Sequence, residues 1–475
     1  MPTPWPEHQP SAEDRARYAD AVAAPYWIEA SPPRQPLAPL AGSAEADLCI
    51  VGGGFTGLWA ALQAKAEDPG REVVVLEAEA VGGGASGRNG GFAEYTLTHG
   101  IENGLARFAG EIEALERLGE ENFAGFAEDL RRHGIDCAFE QTGTIGVALE
   151  PHELAGLEER AELLRRFGHE AELLDGPAMR AQVDSPTYLG GLWNRSGQAL
   201  VDPGRLASGL LAAALAAGVR VHERSPARGL RNRGAGVEVG CEQGAVRARR
   251  ALLATSAYPP LLRRIRRYVA PVYDYVLVTE PLPESLRGEI GWRGRQALTD
   301  LGNQFHYYRL TADDRILFGG YDAVYRYGGP VHAGLDQHEA SFAKLSQHFA
   351  TTFPQLGDLR FAYRWGGAID TCSRFSVFFG TSHRGRVAYA VGYTGLGVVA
   401  SRFGARVGLD LLDGRRSEAT RLRYVRERPV PFPPEPLRSA VIQLTRNRLA
   451  AADRNGGRRG VWLRALDRVG LGFDS

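Results

Sequence analysis

Apolar positions fall into three rhythms along the chain. Short unbroken runs occur at Asp47–Val51 (DLCIV) and Val73–Leu76, as in strands buried on both faces. Stripes near a 3.6-residue period predict helices. One carries Leu58, Leu62 and Ala66. Another carries Leu105, Phe108, Ile112, Leu115, Phe123, Phe126 and Leu130 over Leu105–Arg132 and stops at Gly134. Further helices are predicted at Glu153–Phe167, at Asp202–Ala217 (Asp202 as cap, Pro203 in the first turn), at His338–Phe353, and near Leu437–Ala452 and Val461–Val469. Alternation predicts strands at Thr142–Leu149 and Val219–Glu223 and a hairpin of Val237–Cys241 with Ala245–Arg249.

From Tyr268 to Tyr363 alternation dominates. Tyr273, Tyr275 and Leu277 share one face of a strand; Asp274, Val276 and Val278 share the other. Phe305–Leu310 and Arg315–Gly319 flank an Ala312-Asp313-Asp314 turn. There His306 and Tyr308 share one face, and Phe305, Tyr307 and Arg309 the opposite one.

The first apolar run leads into Gly52, Gly54 and Gly57 in G-x-G-x-x-G register, then a helix. The second run ends in Glu77, twenty positions after Gly57. Each part suits a dinucleotide. Gly52 permits a tight turn, Gly54 lets backbone approach a pyrophosphate, and Gly57 lets helix pack on strand. The free N–H groups at the helix start favour an anion, and Glu77 can accept hydrogen bonds from a ribose diol. Strand, glycines, helix, strand and acid in this order are far more specific than the glycines alone. NAD and FAD both remain open at this point.

Gly82–Gly91 (GGGASGRNGG), a second glycine-rich loop just past Glu77, has no usual purpose in a nicotinamide dehydrogenase. With it the sequence resembles the D-amino-acid oxidase-like family of FAD enzymes, in particular the γ-glutamylputrescine oxidase-like branch, over roughly Tyr26 to Leu412. The resemblance implies non-covalent FAD and assigns residues to it. Phe55 and Thr56 at the helix start, Ala78 after Glu77, and Gly84 and Ala85 in the loop belong to the cofactor set. Ser86, Arg88 and Asn89 are placed beside the pyrophosphate, with Gly90 and Gly91 under the flavin. Pro226–Ala227 is placed at the adenine. RALLATS is similar to the family's "ATG" strand, giving Ala254, Thr255 and Ser256, the last in place of the usual Gly. Val387–Leu412 reads as strand, glycine turn and helix. By resemblance its Gly392, Tyr393, Thr394, Gly395, Leu396 and Gly397 face the flavin's pyrimidine edge, where N–H dipoles offset developing negative charge.

The implied fold class is α/β: a Rossmann-like FAD-binding domain with an interleaved antiparallel-sheet (α+β) substrate domain. The expected division is an N-terminal arm (1–45), a discontinuous FAD domain (46–135, 195–262 and 366–412), a substrate domain (136–194 and 263–365) and an Arg-rich helical tail (413–475). Pro32, Pro33, Pro36 and Pro39 keep the arm irregular, with Tyr26 and Trp27 pinning it to the body. The tail is expected to pack on the body with a solvated basic face rather than lie on a membrane.

Composition changes little. Lys+Arg and Asp+Glu are both 56, so nothing points to nucleic acid. No apolar run reaches the ~20 residues of a membrane span, and no secretory leader is seen. Four scattered cysteines without C-x-x-C suggest a reducing, cytoplasmic setting and no metal site. Oligomeric state is left at monomer or homodimer.

The expected chemistry is oxidation of an amine or amino acid, with transfer from a carbon bearing a neutral amine, whose pKa a desolvated aromatic pocket lowers. The acceptor is oxygen, giving hydrogen peroxide, or another electron acceptor. The alternatives are an amine dehydrogenase or N-demethylase and a non-catalytic flavin-binding interaction protein. Pocket candidates are Tyr273, Tyr275, His306, Tyr308, Arg364 and Trp365; Tyr273, His306, Tyr308 and Arg364 are the catalytic candidates. Family amino-acid oxidases place an Arg-Pro pair near Arg364, but here Trp365 replaces the Pro. Sarcosine oxidase-like relatives use a Lys near the flavin. The only lysines, Lys65 and Lys344, fall in predicted helices far in sequence from the substrate-side strands, and neither is expected to be placed for that role.

Overall fold

A computed structural model describes residues 4–6, 8–468 and 470–471. Two large sheets organise the chain. In the first, the order is Phe378–Ser382, Val387–Val391, Gly244–Leu253, Gly42–Val51, Val73–Leu76 and Arg220–His222. All neighbours along it are parallel except the edge strand Phe378–Ser382. The hairpin Gly229–Arg233/Gly236–Gly240 attaches antiparallel to Gly244–Leu253.

The apolar runs belong here because both faces are covered. On one face Ile50, Val75 and Leu252 pack with Leu58 and Leu62 of helix Phe55–Glu67, Leu206 and Leu210 of helix Pro203–Ala216, and Leu409 of helix Ala400–Asp413. On the other, Cys49, Val51, Val74 and Leu76 meet Val237 and Val239 of the hairpin. Asp202 caps its helix as expected, accepting from the Arg205 N–H at 2.9 Å.

The second sheet runs Val324–Tyr325, Ala270–Thr279, Ile316–Gly320, His306–Leu310, Ala297–Asp300, Thr144–Ala148, Gly190–Asn194 and Ala171–Asp175. Phe361–Thr371 lies along Ala270–Thr279. It is antiparallel apart from Ala297–Asp300 with Thr144–Ala148. Helix Glu339–Thr352 covers one face, Phe342 and Phe349 packing with Tyr275, Phe318 and Phe361.

Three expectations need correction. The helix read over Leu105–Arg132 is two helices, Ile101–Phe108 and Ile112–Arg132, broken at Gly110 where the apolar stripe hid a turn. The division drawn between 365 and 366 cuts a single strand: Gly366 pairs with Tyr275 and Thr371 with Ala270, so residues 366–371 belong to the second sheet. The arm ends early as well, since the first strand begins at Gly42.

The described part of the arm touches the body at several points. Trp5 stacks on His348, 4.5 Å between ring centroids, and the Val22 N–H donates to the Ala362 carbonyl at 2.8 Å. Arg34 pairs with buried Glu223. The tail helices lie at Leu437–Arg454 and Val461–Arg468; Val469, included in the second by sequence, is outside the described residues. Asp453 accepts from the N–H groups of Asn303 (3.1 Å) and Gln304 (3.0 Å), and Glu435 from the Tyr325 hydroxyl (2.7 Å), so the long tail helix is tied to the second sheet. Among the described residues no helix is long and apolar enough to cross a membrane.

Candidate active site

Three glycine turns converge at the ends of the parallel strands. At the first, Gly52 has φ +112°, and a Cβ there would lie 2.3 Å from the Ala254 carbonyl oxygen. Gly57 does not line the cavity. A Cβ on it would lie 1.9 Å from the Gly52 oxygen, so it serves the helix–strand packing. Glu77 faces the groove and accepts from the N–H groups of Gly53 (2.7 Å) and Glu79 (2.9 Å); burial raises its pKa.

The second turn is tied to the first. Ser86 Oγ accepts from the Phe55 N–H at 2.9 Å, and a Cβ on Gly54 would come within 2.8 Å of that oxygen. Asn89 shapes the loop, donating to the Ala85 and Ser86 carbonyls (3.0 and 2.9 Å) and accepting from the Gly91 N–H (2.9 Å). Tryptophans clamp it from outside: Trp27 donates to the Asn89 carbonyl (2.8 Å) and Trp365 to the Arg88 carbonyl (2.9 Å). Buried Arg309 donates to the Gly91 and Val201 carbonyls (3.3 and 2.6 Å).

Arg88 lines the cavity, but its guanidinium is engaged with Asp336 (2.6 Å) and the Gly83 and Gly366 carbonyls. It braces the loop instead of offering a free charge. Gly91, expected under the flavin, is not in the lining; its positive φ turns the chain beneath Gly90, which is.

The third turn is tied to both. Gly392 (φ +88°) lies behind the wall, and its N–H donates to Asp370 Oδ2 at 2.6 Å. Burial lifts the Asp370 carboxyl to about 6. Tyr393 Oη accepts from Thr56 Oγ1 at 2.9 Å, joining the turn to the first helix. Thr394 and Gly395 have positive φ, and with Leu396 and Gly397 they face the groove. Ala78, Gly84, Ala85, Ala227, Ala254, Thr255 and Ser256 complete the wall. Ser256 has φ +46°, the conformation for which the family's usual glycine is suited.

These turns line one cavity of about 840 Å³ that runs on to the second sheet. The opposite strand faces to those expected form its far wall. Val272, Asp274, Val276, Phe305 and Tyr307 line it. The Tyr307 hydroxyl donates to Asp274 at 2.5 Å, and burial raises the Asp274 carboxyl to about 6. Tyr273 touches the cavity, but its hydroxyl accepts from the His332 N–H at 3.3 Å and its ring packs toward Tyr275.

His306, Tyr308 and Arg364 do not line it. His306 is wholly buried between Trp5, Phe318 and Tyr321, bonded to Asp300 (2.6 Å) and His348 (3.0 Å). Tyr308 is buried against Tyr188 (3.0 Å) and Asp300 (3.2 Å). Arg364 turns to Glu339 (3.2 Å), Tyr18 and Phe342. The reason is shared: this face is the one that helix Glu339–Thr352 and the N-terminal arm cover.

Two further parts of the wall went unread. Glu94, one step beyond the second turn, lines the cavity; burial alone pushes its carboxyl up to about 7. The tail helix supplies Val441, Ile442, Thr445, Arg446 and Leu449, successive positions of one helical face. That spacing was visible in the sequence; its target was not. Neither lysine reaches the main cavity. Lys65 donates to the Pro69 and Arg71 carbonyls, and Lys344 pairs with Asp322 at 2.6 Å.

Parallel sheet, three interlocked glycine turns and an acid facing the groove define a flavin-dependent oxidoreductase. The chain matches the DAO family, FAD dependent oxidoreductase, over residues 47–411 and belongs to it. It is 33% identical over 400 residues to the gamma-glutamylputrescine oxidoreductase of Escherichia coli K12, covering 82% of this chain and 88% of that one. It is 30% identical over 389 residues to the probable oxidoreductase OrdL of Haemophilus influenzae, covering 79% and 85%. Among solved structures it is similar to glycine oxidase from Geobacillus kaustophilus, with a TM-score of 0.66, 19% identity and coverage of 79% of this chain and 96% of that one.

Proposed function

We propose that this protein binds FAD without a covalent link along the three glycine turns and oxidises the C–N bond of an amine or amino acid, with oxygen as acceptor and hydrogen peroxide as product. The observation that carries the reading is the single cavity joining the glycine groove to the Asp274–Tyr307 face. The residues fit the cofactor: a Cβ on Gly54 would crowd Ser86, Glu77 faces the groove for a ribose, and Pro226–Ala227 lie where the adenine would end. When bound, FAD supplies the two-electron oxidant.

The protein's own groups handle the amine. Asp274 and Glu94 attract an ammonium group into a wall of Phe305, Tyr307 and Tyr321. Glu94 Oε can take a proton from the captured ammonium, leaving the neutral amine that burial favours; its lone pair then assists loss of the hydrogen on the adjacent carbon as hydride, for which bound FAD would be the acceptor. The product imine hydrolyses in water. The E. coli relative is named for γ-glutamylputrescine, an amine on an extended chain, which suits a cavity continuing past the groove.

The absence of a lysine from the lining among the described residues favours a second reading, a dehydrogenase or N-demethylase passing electrons to another acceptor. An anaerobic panel of polyamines, N-methyl amines and D- and L-amino acids, scored by bleaching of the flavin band, tests the activity. Peroxide formed per substrate consumed separates the two acceptors. If no amine or amino acid bleaches the flavin, the reading fails.

A further inference from the structure

Where the main cavity reaches the surface, its rim is apolar and fringed with arginine. Tyr258, Pro259 and Leu261 line the cavity from one segment, and Val430 and Pro431 line it from another. Tyr258 is 39% exposed and Val430 51%, so the cavity opens to solvent here. Leu437, 60% exposed, lies at the end of the second segment. The first segment runs straight into Arg263–Arg267, a short turn in which only Ile265 is buried and all four arginines are exposed. The second segment lies against that turn. The Phe432 N–H donates to the Arg267 carbonyl at 2.7 Å, and Arg438 Nη2 to the Arg266 carbonyl at 3.0 Å. Arg264 Nη2 donates to the Thr381 carbonyl at 2.7 Å. Arg428, exposed at the head of the second segment, converges with Arg264, since the charges of both act on the buried Tyr389 hydroxyl.

None of these exposed arginines has a carboxylate within 4.0 Å among the described residues. The nearby acids are taken: Glu427 pairs with Arg423 at 2.8 Å, and Glu435 accepts from the Tyr325 and Ser439 hydroxyls, each at 2.7 Å. Exposed arginines elsewhere do have partners, as Arg117 with Glu121, Arg132 with Glu128 and Arg195 with Glu172. In a chain with 56 basic and 56 acidic residues, uncompensated positive charge at this rim is a local feature and not a reflection of composition. Charged heads on long apolar stems, set beside exposed aliphatic side chains, suit the headgroup layer of an anionic bilayer. Lipid phosphates meet the guanidinium groups there, while Val430 and Leu437 reach the acyl boundary. A nucleic acid would satisfy the charges but offers no apolar phase to the aliphatic groups.

We infer that the Arg263–Arg267 turn and residues 428–437 form a docking surface for an anionic phospholipid bilayer, seated so that the main cavity opens toward the headgroups. The long tail helix stays packed on the body; the rim meets the lipid. This docking stands apart from the amine-oxidising reading, since binding to vesicles needs no turnover.

The test is sedimentation of the purified full chain with phosphatidylcholine vesicles, with and without about one-third phosphatidylglycerol. The wild-type protein should bind the anionic vesicles at least about tenfold more tightly than the neutral ones, and added salt should weaken that binding. Arg263, Arg266 and Arg267 have side chains that carry no hydrogen bond or ion pair among the described residues, so they can be changed without disturbing the fold. Arg263→Gln, Arg266→Gln and Arg267→Gln combined should weaken binding about 30- to 100-fold, the usual worth of three basic residues at such a surface. Leu437→Ser should weaken it about 3- to 10-fold. A charge-matched control, Arg117→Gln, Arg132→Gln and Arg195→Gln combined, should stay within about threefold of the wild-type protein. Circular dichroism and the melting midpoint of each variant report folding. Anionic vesicles that bind no better than neutral ones overturn the docking surface, as does a loss in the control equal to that in the Arg263/Arg266/Arg267 variant. If those three arginines instead govern binding to poly(U) RNA while vesicles are ignored, the bilayer assignment falls and the face belongs to a nucleic acid.

Discussion

Asp370 Oδ2 accepts the Gly392 N–H at 2.6 Å, so a carboxylate of the substrate sheet fixes the start of the third glycine turn. Strand Phe361–Thr371, which carries Asp370, thus registers one sheet against the cofactor groove of the other. Asp370→Ala is expected to weaken FAD binding about 10- to 100-fold, the scale of a lost hydrogen bond to a buried charged group. Asp370→Asn, which keeps one acceptor, should lose less. Flavin fluorescence on serial dilution measures both; equal affinity in all three proteins would rule out the anchoring role.

Glu94 sets an expected pH dependence. Burial pushes its carboxyl up to about 7, so below that pH it is neutral and above it is charged. Capture of an ammonium group and acceptance of its proton both require the charged form. kcat/KM should therefore rise with pH to a bend near 7. Glu94→Gln, fixed in the neutral form, should lack that bend and run about tenfold or more lower above it. A bend retained in the Gln variant assigns it to another group.

His306 is expected to matter for stability and not for turnover. It is wedged among aromatic rings with both nitrogens engaged, away from the cavity. Removing it leaves Asp300 and His348 short of partners and opens a void, a cost of about 2–4 kcal/mol. His306→Ala should lower the melting midpoint by several degrees, while the fraction that stays folded and yellow keeps kcat within about threefold. A large fall in kcat with an unchanged midpoint would return His306 to the chemistry.

The proposed non-covalent binding of FAD has a direct outcome. The nearest thiol to the third turn, Cys372, is wholly buried behind the wall, its Sγ directed at the Ser376 (3.2 Å) and Gly392 (3.4 Å) carbonyls. Acid precipitation should leave a yellow supernatant and a colourless pellet, for Cys372→Ser as for the wild-type chain. A pellet that stays yellow only in the wild-type chain would show attachment at Cys372.

What could be read from sequence follows from how local each signal is. The glycine turns are contiguous stretches in which backbone freedom, helix start and acid fall at fixed offsets, so Gly52, Ser86 and Gly395 could be placed before any contact was known. The substrate wall offered no such offset. On Ala270–Thr279 and His306–Leu310 both faces carry aromatic and titratable residues, and period two says only that Tyr275 opposes Asp274 and His306 opposes Tyr307. The choice was made by a helix some thirty residues on, Glu339–Thr352, which buries one face and leaves the other to the cavity. Arg88 misled for a related reason: its partner Asp336 is 248 positions away. The tail's apolar face was legible as a stripe, but nothing nearby said that it closes a cavity.

That closure falls outside the stretch shared with the family, which ends at residue 411, whereas Val441 to Leu449 come from beyond it. The glycine turns and the Asp274–Tyr307 wall therefore lie inside that stretch, while one side of the same cavity is added from outside it. An exchange confined to the later passage would reshape that side and leave the three turns untouched.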